Sequence, residues 1–232
     1  MTERQREKID RGRLVVSLVG VVLMFALCIF VPAGTRAWPR GWLFILMYAA
    51  LLVIASFYIW RVNPDLFAAR INAHEGTKTW DKFLLAALLF FFLATFVVAG
   101  LDDGRFHWWP IPWSVCMGGY LLLFIGVGLI TWAESVNKFF EPTVRIQADR
   151  GQRVVDTGPY AFVRHPGYVS CLPMGVGIAL ALGSLWAVVP ALLSCAVLIL
   201  RTQWEDRTLQ AELAGYKEYA QRVRYKWIPG VW

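Results

Sequence analysis

Charge is scarce in this sequence. Asp, Glu, Lys and Arg make up 17% of 232 residues, against 58% hydrophobic and 15% aromatic residues. That balance lies far from a soluble average, and the length accommodates one domain with at most a small appendage. Histidine is rarer still, with three copies: His74, His107 and His165. Four cysteines, Cys28, Cys116, Cys171 and Cys195, each sit in an apolar stretch without paired ligand spacing. They read as small core residues, which argues against a disulfide framework and against a metal site. No internal repeat, low-complexity tract, Ser-His-Asp arrangement, phosphate-cradling loop or zinc spacing stands out.

Long apolar runs are what the chain has instead. They fall at about 14–32, 41–60, 83–101, 113–133, 167–182 and 185–202, and roughly 20 helical residues cross a bilayer. The first run is longer than a signal-peptide core and is read as an uncleaved helix. The last two are short and meet at Gly183-Ser184, which predicts a tight helical hairpin. The fold class expected is an all-α integral membrane protein with about six transmembrane helices.

The net charge of +7 follows from topology and needs no nucleic acid. With the N-terminus in the cytoplasm, alternate segments hold twenty Lys and Arg inside and three outside, as the positive-inside rule requires. Both termini are then cytoplasmic. Trp38, Trp42, Trp60, Trp113, Trp132 and Trp186 sit at segment ends, as an interfacial belt would. His74 and His107 fall on opposite sides of the membrane, so they do not form a joint metal site.

Polar groups converge after the fourth run. The stretch 134–160 is amphiphilic and broken by Pro142, Gly151 and Gly158-Pro159. Loops of this length inside compact domains are usually functional. Arg164-His165-Pro166 opens the fifth run, with Pro166 suited to a first helical turn. Arg164 alone fits a snorkelling anchor; His165 fits one less well. Arg201 and Glu205, four apart on the last helix, share a face, and Glu205-Asp206 at the lipid boundary need a cationic partner or a ligand. Leu209, Leu213, Tyr216 and Val223 predict an amphipathic helix over 203–223, against the membrane or the loop. Gly126 and Gly128, beside Gly118-Gly119, are read as helix-packing glycines rather than cofactor contacts.

From about Asn137 to Trp232 the chain resembles the isoprenylcysteine carboxyl methyltransferases and their prokaryotic relatives, alongside the phospholipid N-methyltransferases. The motifs are "NKFF", "GPYAFVRHPGY", "RTQWED" and "GYKEYAQRVRYKWIPGVW". The resemblance implies N-terminal helices over 1–133 and a cofactor-binding region over 134–232, made of a cytosolic loop, the hairpin and the amphipathic C-terminal helix. It implies S-adenosylmethionine as cofactor, held by Gln147, Gln152, Arg153, Val154, Val155, Tyr160, His165, Pro166, Gly167, Tyr168 and Glu205. Arg201 would face the methyl acceptor, a membrane-embedded or lipid-linked molecule, with a carboxylate favoured because it arrives ionised. The chemistry agrees: Glu205 suits the ammonium of S-adenosylmethionine, Tyr160 or Tyr168 its sulfonium, and His165 its carboxylate or ribose.

The chain departs from the family pattern in three places: Gln152 where histidine is common, Ser170 where glycine is usual, and Asp206 as the second of paired glutamates. Two rival readings remain. One is an NADPH-dependent enzyme like the sterol and steroid reductases, whose hairpin motif differs at Gly167 and Ser170. The other is a non-catalytic membrane protein.

Overall fold

The computed structural model describes residues 11–69 and 76–232. Residues 1–10, which carry part of the basic count, and His74 lie outside the described residues. Within them the chain is helical, with no strand. In order come α1 (Arg11–Ala33), α2 (Pro39–Val62), α3 (Pro64–Ala69), α4 (Thr79–Ala99), α5 (Trp113–Val136), α6 (Pro166–Val169), α7 (Cys171–Ala181), α8 (Val188–Glu212) and α9 (Tyr216–Arg222). Among the described residues, four helical stretches are long and apolar enough to cross a membrane: Pro39–Val62, Thr79–Phe106, Trp113–Val136 and Val188–Glu212. Two shorter apolar helices, Val19–Ala33 and Pro166–Ala181, occupy the first and fifth runs.

Several boundaries differ from the sequence expectation. The helix begun by α4 does not stop near residue 101 but continues through a π-helical stretch, Gly100–Phe106. The expected separate helix over 203–223 is replaced by one α8 that runs from the apolar stretch to Glu212. A fall in hydropathy does not break a helix, and no Gly or Pro lies between Ala191 and Ala214. The break comes at Gly215, whose φ of 79° suits glycine, and α9 follows.

The hairpin forms as expected. Gly183 turns at φ 87° between α7 and α8. Beyond the turn, Ser184 Oγ donates to Asp102 (2.6 Å) and accepts from the Ala187 N–H (3.0 Å). At this end of the molecule Asp103 accepts from Trp38 Nε1 (2.7 Å) and from Arg40, whose Nη2 donates to the Ile111 carbonyl (2.7 Å). Trp38 is therefore a buried structural tryptophan and not part of the interfacial belt. Its indole N–H finds a carboxylate inside the protein, whereas Trp42, Trp60, Trp113, Trp132 and Trp186 are exposed.

The glycine reading of α5 holds for half of its members. A Cβ on Gly119 would lie 2.4 Å from the Ala181 nitrogen, and one on Gly126 would lie 2.7 Å from the Met174 nitrogen. These two glycines let α5 and α7 touch backbone to backbone. A Cβ on Gly118 or Gly128 would have nothing within 4 Å, so these two face open space. Phe25, Phe44, Tyr48 and Phe96 form the aromatic centre of the core among α1, α2 and α4.

The segments expected on one side do meet. The Lys78 N–H donates to the Val144 carbonyl (3.1 Å), Lys78 Nζ pairs with Glu212 (2.8 Å), and Arg150 reaches the Asp65 carbonyl (3.3 Å). The loop after α5, the start of α4 and the end of α8 therefore share one face of the molecule.

Candidate functional site

The threshold of the fifth run is held by the chain's last segment. The Arg164 and His165 N–H groups donate to the carbonyls of Tyr225 and Lys226, each at 2.9 Å. The Arg164 guanidinium grips Asp206 at two points (2.8 and 3.1 Å) and donates to the Val223 and Arg224 carbonyls. With the residue 8% exposed, the snorkelling reading of Arg164 fails: its head lies inside the protein, in an ion pair. Burial opposes that charge, yet hydrogen bonding and attraction to Asp206 outweigh burial and hold its pKa above the ordinary value. Asp206 also accepts from Gln210 (2.8 Å) and the Tyr216 hydroxyl (3.2 Å), and His165 Nε2 lies 3.3 Å away. The His165 ring stacks on Tyr168 with centroids 5.6 Å apart.

A second layer is built on Arg201. Arg201 and Glu205, which share a face of α8, do not pair with each other directly. Arg201 Nε and Nη2 donate to Asp81 (2.7 and 3.2 Å), Nη1 to the Tyr168 hydroxyl (2.7 Å), and Nη2 also to the Pro142 carbonyl (2.6 Å). The same Asp81 accepts the Val144 N–H (2.7 Å). Tyr168 in turn donates to Glu205 (2.5 Å). Arg201 and Glu205 are therefore linked through Tyr168, because the fully buried carboxylate of Asp81 takes the guanidinium.

Between these layers and the loop lies a cavity with about 790 Å³ of empty space, counting its open mouth. Ten of the twelve expected site residues line it: Gln147, Gln152, Arg153, Val154, Val155, Tyr160, His165, Gly167, Tyr168 and Glu205. Pro166 and Arg201 do not. Pro166 is buried in the first turn of α6, and Arg201 stands behind Tyr168. Gln147 serves the loop itself: its amide donates to the Phe139 carbonyl (2.8 Å) and accepts from Arg150 (2.6 Å), while Gln152 accepts the Gln147 N–H (2.7 Å). Arg145 is bound by Glu141 and Asp149, which raise its pKa. The loop is thus internally bonded and not a flexible linker.

Other lining residues were missed or read differently from sequence. Asn137 donates to the Tyr160 hydroxyl (3.0 Å), and Tyr219 donates to the Tyr160 carbonyl (2.7 Å). Burial lifts the Tyr160 phenol above its ordinary value. Leu209, Leu213, Tyr216 and Tyr219 line the cavity, and Leu213, Tyr216 and Tyr219 cluster with Ile146 and Val154 of the loop. The apolar stripe thus lies against the loop. Thr143 also faces the cavity, from a position that no motif marks.

Residues 115–214 match the family model for phospholipid methyltransferase. The matched span begins in α5 and ends just before Gly215, so it holds the loop, the hairpin, Arg201 and Glu205. Asp81, Tyr216, Tyr219 and the last segment are added from outside it. The chain is also similar to the cobalt-zinc-cadmium resistance protein CzcN of Cupriavidus metallidurans, with 32% identity over 139 residues. That similarity covers 56% of this chain and 58% of the relative's length.

Proposed function

We propose that the protein transfers a methyl group from S-adenosylmethionine to a lipid or lipid-linked acceptor at the membrane surface. The observation that carries this reading is the lining of the cavity within the matched stretch: a carboxylate, Glu205, beside the aromatic rings of buried Tyr160 and half-buried Tyr168. Among the described residues Glu205 is in no salt bridge, so its charge is available to the ammonium of the cofactor. Tyrosine faces attract a cation such as a sulfonium. When bound, S-adenosylmethionine supplies a methyl group on a positively charged sulfur.

The task left to the protein is positioning. Tyr168 is held by Arg201 and Glu205, and Tyr160 by Asn137 and Tyr219, so both rings keep fixed orientations. Gln147, Gln152, Arg153, Val154 and Val155 wall the loop side. His165, Pro166 and Gly167 support the opposite wall. Arg201 serves by positioning Tyr168; as its charge is already met by Asp81, a carboxylate acceptor would have to compete for it.

The orientation that fits this chemistry puts both termini, the loop and the end of α8 in the cytoplasm. Six membrane segments are then grouped as N-terminal helices over 1–133 and a cofactor-binding region over 134–232. Methyl-labelled S-adenosylmethionine, incubated with the purified protein and a total membrane lipid extract, should transfer label to the organic phase. Label that stays in the aqueous phase, with NADPH oxidised instead, contradicts the proposal.

A further inference from the structure

Among the described residues, three buried side-chain oxygens find no hydrogen-bond partner: the hydroxyls of Tyr120, Thr143 and Ser194. Only Thr143 borders the cavity. Buried polar groups in folded proteins are nearly always paired, so an orphan on a cavity wall marks a place where a ligand atom belongs.

The backbone on either side of Thr143 is pinned. The Pro142 carbonyl accepts from Arg201 (2.6 Å), and the Val144 N–H donates to Asp81 (2.7 Å). The Val144 carbonyl accepts from the Lys78 N–H (3.1 Å). One buried ion pair thus holds both neighbours of Thr143, and the hydroxyl of this cavity-lining residue has no protein partner. A hydroxyl can donate or accept.

We propose that Thr143 is a ligand-binding residue of this cavity, its Oγ1 hydrogen-bonding a polar group of the methyl donor. This rests on the S-adenosylmethionine reading above. The donor is favoured over the acceptor because Thr143 shares its loop with Gln147 and Gln152, and its cavity with Glu205.

The test is calorimetric titration of S-adenosylmethionine and of S-adenosylhomocysteine into the detergent-purified full chain. Wild type, Thr143→Val and Thr143→Ser are compared. Thr143→Val should raise the Kd for both ligands by about 5- to 10-fold, the effect of one lost neutral hydrogen bond. Thr143→Ser should return both toward wild type. The ligand-free Thr143→Val protein should melt no lower than wild type, because the hydroxyl has no partner to lose. Wild-type affinity in Thr143→Val overturns the inference, as does a Thr143→Ser variant as weak as Thr143→Val. Wild type that binds neither ligand overturns the S-adenosylmethionine reading itself, and this inference with it.

Discussion

Asp81 and Arg201 lie 120 positions apart in the chain and meet in a buried two-point contact, Nε to Oδ1 at 2.7 Å and Nη2 to Oδ2 at 3.2 Å. The contact ties α4 to α8 behind the cavity. Removing one member leaves the other buried and uncompensated. Asp81→Ala should therefore lower stability by about 3–5 kcal/mol, and Arg201→Ala by a similar amount. The double variant should lose less than the sum. Thermal unfolding in detergent checks this; strictly additive losses would show that the two residues act independently.

How far was this arrangement legible in the sequence? The helical class, the hairpin at Gly183 and ten of the residues that line the cavity were, because apolar runs and family motifs are local signals. The partners of the charged residues were not. Arg164 read as an anchor until Asp206 was seen to hold it, since residues 42 positions apart leave no spacing signature. Asp81 was an isolated acid at the edge of an apolar run, a signal that something buried must neutralise it. It did not say what. Thr143 had no signal, because a loop threonine has no period to obey.

Arg164 makes a test of geometry rather than charge. Lysine at this position keeps the charge but loses the two-point grip on Asp206 and the contacts to Val223 and Arg224. Arg164→Lys should cost about 1–3 kcal/mol. It should also speed hydrogen exchange at the Arg164 and His165 amides, which donate to the last segment. Unchanged exchange would mean that the last segment holds without the guanidinium.

Tyr160, Tyr216 and Tyr219 have phenols raised above the ordinary value, first by burial. The charges of Asp206 and Glu205 add to this at Tyr216. Folding therefore favours the neutral form. That stabilisation is fully present below the usual phenol pKa of about 10 and is lost as pH rises through the higher folded values. In an alkaline titration followed by tyrosinate absorbance, these three should stay protonated past the usual range and ionise together with unfolding. Free titration of all eight tyrosines with helicity unchanged would contradict the packing described.

Cys171 and Cys195 place their sulfurs 3.2 Å apart between α7 and α8, both as free thiols. Mild oxidation with copper–phenanthroline should join them, each thiol giving up one hydrogen, while Cys28 and Cys116 stay free. Mass spectrometry of the digested protein reads the result. A crosslink to Cys28 or Cys116, or none at all, would show that the hairpin faces differ from those seen here.

The most direct measurement is calorimetric binding of S-adenosylmethionine to the detergent-purified wild-type protein and to Glu205→Gln, with NADPH as the comparison ligand. The account predicts that wild type binds S-adenosylmethionine and not NADPH. Glu205→Gln should weaken that binding by about 10-fold or more, as expected for a lost charge-assisted contact. Binding of NADPH alone, or S-adenosylmethionine binding untouched by the substitution, would contradict it.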